Sequence, residues 1–165
     1  MKSKPNKMDS ETSTKKAPKP KKIIGRTDKA DFPELGLEGI DIKIDTGAYT
    51  SAIHCHKIKQ VFEEGKHAIE FYLLDPSHPQ YAKKKFRTEN FKEKSIKSSN
   101  GSTEKRFIIK TKITLFNKTY TITLSLSQRG EMRFPILIGR KFLVGKFMVD
   151  PSQTDLSYQN KSHDL

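Results

Sequence analysis

Ile42-Lys43-Ile44-Asp45-Thr46-Gly47-Ala48-Tyr49-Thr50-Ser51 is the stretch on which the reading of this chain turns. Ile40, Ile42 and Ile44 alternate with Asp41 and Lys43, the period of a strand with one buried and one wet face. That strand runs directly into Asp45-Thr46-Gly47-Ala48, so a carboxylate stands at a strand end with a hydroxyl and a glycine behind it. A lone surface carboxylate titrates at about pH 4 and activates water poorly. Two carboxylates within about 3 Å share one proton, because both cannot ionise together, and then serve as base and acid. Gly47 permits a close turn beside the reacting group, and Thr46 offers a hydroxyl that can tie two such loops together. Asp-Thr-Gly also suits an ordinary turn, where Asp and Gly are favoured for local reasons.

A second segment gives the first its meaning. Phe134-Pro135-Ile136-Leu137-Ile138-Gly139-Arg140-Lys141-Phe142-Leu143 is an apolar run ended by glycine and followed by a short helix. Asp-Thr-Gly followed much later by hydrophobic-hydrophobic-Gly-Arg resembles the paired signature of retropepsin-like proteins. Gly25-Arg26, Pro33-Glu34-Leu35-Gly36, Thr50-Ser51-Ala52-Ile53-His54, Lys97-Ser98-Ser99, Ile109-Lys110-Thr111, Arg129, Met132-Arg133-Phe134 and Val149-Asp150-Pro151 fall around the two segments in order. From Ile24 to Ser152 the series is similar to a bacterial family of small retropepsin-like aspartic peptidases, often labelled ATP-dependent zinc proteases.

The resemblance implies an all-β chain, a closed acid-protease barrel with one short C-terminal helix. It implies a symmetric homodimer in which each chain contributes one catalytic Asp45, with Thr46 and Gly47 shaping its loop. Ile138, Gly139 and Arg140 support that loop, and Ala48 touches substrate together with Ser99, Asn100 and Gly101 at the tip of a mobile hairpin. Some members are linked to trimming glutamate tails from a ribosomal protein, which makes an acidic peptide the expected substrate. Tyr49 departs from the pattern. Family members commonly carry Arg there, and retroviral relatives an acid that pairs with the Gly-Arg arginine, so Arg140 is expected to lack that partner.

Neither half of the family label finds its residues here. Catalytic zinc needs three ligands and an open position. His54 and His56 flank Cys55 at strand spacing and could make two, with His67 or His78 a third, but that geometry is nonspecific and a surface or core histidine pair is the better reading. From Gly139 to Phe147 the chain has one residue too many for a phosphate loop, and Phe147 stands where a magnesium-binding hydroxyl belongs. No cofactor is expected.

Composition bounds the rest. The 165 residues fit one folded domain over residues 23–152, a basic arm over 1–22 and a polar tail over 153–165, frayed from Asp155 onward. The arm is rich in Lys, Pro, Ser and Thr, too apolar-poor to offset the entropy of folding. It lacks the apolar core of a secretory signal, and no run is long enough to cross a bilayer, so a cytoplasmic protein away from membranes is expected. The lone Cys55 reads as a small buried hydrophobe. A net charge of +13 draws polyanions. Lys83-Lys84-Lys85, Arg87 and the arm could meet nucleic acid or a ribosome, attract an acidic peptide, or simply maintain solubility.

Further strands are expected over His67 to Leu74, stopped by Asp75-Pro76, and around Phe86 to Phe91. A hairpin is expected from Arg106 to Phe116 and Thr119 to Ser127, turning at Asn117-Lys118. The functional readings are a peptidase acting through Asp45, a barrel that binds peptides without cutting them, and a metal-dependent hydrolase built on His54 and His56.

Overall fold

The computed structural model describes residues 20–97, 101–128 and 133–161. It is mostly β. In chain order the elements are β1 (Lys22–Ile24), β2 (Thr27–Phe32), β3 (Leu37–Ile44), β4 (Ser51–Glu63), β5 (Lys66–Leu73), β6 (Lys85–Thr88), β7 (Lys92–Lys97), β8 (Thr103–Leu115), β9 (Lys118–Ser127), β10 (Ile136–Ile138), α1 (Arg140–Leu143), β11 (Phe147–Val149) and α2 (Leu156–Gln159).

The isoleucine alternation of β3 is realised: Ile40, Ile42 and Ile44 are buried, and Asp41 and Lys43 exposed. Pro33–Leu35 forms one turn of 3-10 helix, and Gly36 ends it in the left-handed region (φ 67°), which a β-carbon disfavours. Between Leu37 and Ile40 the strand carries one residue more than β2 opposite, since Leu37 pairs with Phe32 and Ile40 with Ala30. Gly39 takes the left-handed conformation in this bulge, and its N–H donates to the Asp31 carboxylate (2.7 Å). The bulge lets both Leu37 and Ile40 face the core.

The main sheet runs β10-β3-β2-β8-β9-β4-β5-β6, with β7 paired to β8 and β10 paired also to β4. Phe32, Ile42, Ile53, Ile113, Leu124 and Ile136 lie among its fully buried side chains. The first half of β4 is buried between β9 and β10. Beyond His56 its register against β5 shifts, Lys57 turns left-handed, and the strand runs outward with mostly exposed side chains. A separate two-stranded parallel sheet joins β1 to β11.

Several expectations shift. The hairpin of β8 and β9 turns one residue earlier than its composition indicates, at Phe116-Asn117, both left-handed (φ 50° and 59°), so Leu115 pairs with Lys118. Tertiary contacts hold Phe116 there: its N–H donates to the Ser157 hydroxyl (2.7 Å) and its ring packs against Phe147. The strand expected around Phe86 to Phe91 is β6, ending at Thr88, and Phe91 sits against the edge of Phe107 before β7 begins.

One short helix was expected; among the described residues there are two short α-helices. Where a frayed tail was expected from Asp155, the chain forms α2, because the buried Asp28 carboxylate accepts the N–H groups of Ser157 (2.8 Å) and Tyr158 (3.1 Å) and fastens α2 to β2. The expected arm lies outside the described residues except for Pro20 to Lys22, of which Lys22 opens β1. Among the described residues no helix is long and apolar enough to cross a membrane.

Candidate active site

β3 and β10 run parallel, Ile42 beside Ile136 and Ile44 beside Ile138. The Asp45 N–H continues that ladder to the Ile138 carbonyl (2.8 Å). The next residues leave the sheet. The Ala48 N–H returns to the Asp45 carbonyl (3.2 Å), closing a tight turn, and the Asp45 carboxylate accepts the Gly47 N–H (3.1 Å). Asp45 is half-buried at the strand end, with Thr46 and Gly47 exposed beyond it. A bond from a backbone N–H fixes the direction of the carboxylate.

The Gly139-Arg140 segment clamps this turn from below. The Gly139 N–H donates to the buried Ser51 hydroxyl (2.9 Å), the Arg140 N–H to the Ala48 carbonyl (2.8 Å) and the Lys141 N–H to the Tyr49 carbonyl (3.0 Å). The Arg140 side chain reaches over the turn, donating from Nη1 to the carbonyls of Thr46 (3.0 Å) and Gly47 (3.2 Å). Its guanidinium stands 5.8 Å from the centre of the Tyr49 ring, and the Lys94 ammonium stands 5.7 Å from the same ring. The partner expected to be missing is thus replaced. Two carbonyls and an aromatic face take the role of an acid at position 49, and a charged Arg there would be repelled by both neighbouring cations.

Lys94 belongs to the β7–β8 hairpin, whose six residue pairs run from Lys92 opposite Ile108 to Lys97 opposite Thr103. At the base of this hairpin lies a groove of about 740 Å³, whose lining reaches Thr50 and Lys141 but not Asp45, Thr46 or Gly47. Thr50 lines it on the side of the turn; Lys92, Lys94, Lys110 and Lys141 outnumber Glu89 and Glu93 on its walls. Such a cleft concentrates positive potential. Of the expected hairpin tip, Ser99 and Asn100 lie outside the described residues; Gly101 is exposed and left-handed (φ 84°) just before β8.

Ala48 is half-buried, its carbonyl already engaged by Arg140. His54 and His56 do not converge on a common point of ligation: His54 Nε2 bonds the Asp75 carboxylate (2.9 Å), and His56 Nε2 bonds the Tyr81 hydroxyl (3.0 Å) with its ring edge-on to Tyr72 and Tyr81. Asp75 is held below the usual carboxylate range by the Ser77 hydroxyl and N–H and by His54. Among the described residues no group of three or more His, Cys, Asp and Glu is placed to hold a metal ion. Cys55 is buried in the core, and burial pushes its thiol up.

Ser51, which holds the Gly139 N–H, and the lysines that line the groove were not among the expected site residues. The signal for the lysines was present: Lys92 and Lys94, and Lys110 and Lys112, recur at period two and therefore share a strand face. The runs Lys83-Lys84-Lys85 and Arg87 drew the eye instead and lie around β6, outside the groove lining.

Comparison with known proteins agrees with this geometry. The chain is similar over 80% of its length to proteins named "Probable alpha-L-glutamate ligase", 33% identical in Desulfotalea psychrophila and 36% in Shewanella pealeana over 132 residues. It spans only 28% and 29% of those relatives. Among solved structures it is similar to protein Lpg0085 of unknown function from Legionella pneumophila, with a TM-score of 0.65 and 25% identity over 82% of this chain and 98% of that one. The description "RimB-like: Retropepsin-like aspartic endopeptidase RimB" matches residues 23–160. With its Asp45 turn clamped by Gly139 and Arg140, the chain belongs to the RimB-like family of retropepsin-like aspartic endopeptidases.

Proposed function

We propose that this protein is a peptidase that hydrolyses acidic peptides with a water activated by Asp45, two chains forming one site. The observation that carries the reading is the Asp45 carboxylate, oriented by the Gly47 N–H at the end of β3, on a turn locked by Gly139 and Arg140. The pairings of β3, β2, β8, β9, β4 and β10 lead from one to the next and return to β3, which supports a closed barrel. Exposed Thr46 and Gly47 are free to meet their copies across a two-fold axis.

In the paired site one Asp45 is ionised and takes a proton from water while the protonated Asp45 of the second copy donates to the scissile carbonyl oxygen. The water oxygen bonds to the carbonyl carbon. Collapse of the tetrahedral adduct breaks the C–N bond, and the proton taken from water passes to the leaving amine. The lysine-walled groove beside Thr50 supports an acidic substrate, glutamate-tailed protein being the natural class. The relatives named as glutamate ligases contain the matched segment as less than a third of their length, so ligation there and hydrolysis here are compatible.

That name also favours a second reading, a barrel that holds glutamate-rich chains without cutting them. Incubation with a glutamate-tailed peptide separates the two. Cleavage that Asp45→Asn abolishes with the fold intact, inhibited by a pepstatin-like compound and indifferent to a chelator, is the expected result. Binding without turnover at any pH selects the holding module, and activity retained by Asp45→Asn removes Asp45 from the mechanism.

A further inference from the structure

Two buried side-chain polar atoms lack a hydrogen-bond partner among the described residues, the Arg106 Nε and the Ser125 hydroxyl. Both lie on one face of one ladder. Arg106 is opposite Lys94 and Ile108 opposite Lys92 across β7 and β8, while Ile108 is opposite Ser125 and Lys110 opposite Thr123 across β8 and β9. Residues opposite one another, or two apart along a strand, share a face. Arg106 and Ser125 therefore stand on the face that gives the groove Lys92, Lys94, Ile108, Lys110 and Thr123.

The Arg106 side chain is only 19% exposed, and its recorded partner is Glu104, 63% exposed, whose Oε2 lies 3.3 Å from Nη2. Nε and Nη2 form one edge of the guanidinium, spaced to receive both oxygens of a carboxylate. Glu104 meets half of that edge at a long distance and leaves Nε unmet. A buried donor without an acceptor is unfavourable, and here it is kept beside a cationic groove where an incoming carboxylate would supply the acceptor. Glu104, the exposed acid flanking it, can rotate aside at little cost.

We propose that Arg106 is a specificity residue of the groove: its Nε–Nη2 edge takes a side-chain carboxylate of the acidic peptide, which displaces Glu104. This rests on the reading that the groove holds a peptide, but not on hydrolysis. Ser125, the second unmet polar group, lies diagonally across the ladder from Arg106 and marks the same part of the face as incomplete without a ligand.

The test is binding of a short labelled oligoglutamate peptide and its glutamine counterpart to the full chain carrying Asp45→Asn, read by fluorescence anisotropy. Adding Arg106→Gln is expected to weaken the glutamate peptide by about tenfold or more, the worth of a charge-assisted pair, and to leave the glutamine peptide unchanged. Glu104→Gln, at an exposed position, is expected to tighten the glutamate peptide alone, and it decides the matter if Arg106→Gln melts early. Equal weakening of both peptides by Arg106→Gln, or unchanged discrimination in either folded variant, overturns the proposal. Arg106-dependent binding without cleavage by the unsubstituted chain sinks the peptidase reading and leaves this one standing; cleavage with discrimination indifferent to Arg106 and Glu104 does the reverse. Failure of the glutamate peptide to bind overturns both.

Discussion

A β-carbon built on Gly139 would lie 2.7 Å from the Tyr49 carbonyl oxygen, 2.9 Å from that of Ala48 and 2.9 Å from the Thr50 carbonyl carbon. All three are backbone atoms of the Asp45 turn, and two are the acceptors that fasten it to Arg140 and Lys141. Gly139→Ala is therefore expected to lose about 1–3 kcal/mol in chemical denaturation, as overpacking does, and to lose cleavage with it. Gly47 differs. A β-carbon there meets only the Asp45 Oδ1, at 3.3 Å, so Gly47→Ala is expected to fold with nearly unchanged stability while disturbing the carboxylate, a kcat defect without a shift in Tm. The strand that ends at Asp45 and the Gly139-Arg140 segment beside it were legible because each is a pattern of neighbours along the chain. The role of Tyr49 was not. A ring shared by Arg140 and Lys94 depends on a lysine some 45 positions away, which no local pattern announces.

At the scale of elements, β3, β5, the β8–β9 pair and the strand-to-helix passage at Gly139 follow from periodicity and turn chemistry. β4 did not declare itself, because its buried half and its outward half have different surroundings and so no single alternation. α2 was equally hidden, being held by one distant carboxylate rather than by its own four residues. Burial pushes the Asp28 carboxyl above its ordinary value of 3.8, against the N–H groups of Ser157, Lys29 and Tyr158, which pull it down. The folded chain thus holds this proton more tightly than the unfolded chain. The penalty of the buried charge is absent below about pH 3.8 and grows until the pH passes the raised folded value. Subtracting the stability of Asp28→Asn, which cannot ionise, isolates this contribution. The difference is expected to move against the unsubstituted protein as pH rises through that window, in denaturation curves taken at successive pH values; a flat difference would show that Asp28 does not titrate with folding.

The whole molecule poses the question of the second carboxylate. If each site draws one Asp45 from each of two chains, inactive chains poison active ones. Mixing equal amounts of the unsubstituted protein and Asp45→Asn, with time for exchange, is expected to cut activity per active chain to about half under random pairing; simple additivity would mean that one chain suffices. A net charge of +13 was readable from composition and predicted attraction to acidic partners without saying where. The fold sets Lys92, Lys94, Lys110 and Lys141 around one groove and leaves Lys83 to Lys85 outside its lining. By itself the sequence determined the strand that ends in Asp45, the turn type and the apolar Gly-Arg segment beneath it, since these depend on neighbours along the chain and on side-chain period. Only the tertiary structure decided what Arg140 holds, which lysines line one groove and why Arg106 is left half-paired, because those arise from ladder register between distant strands.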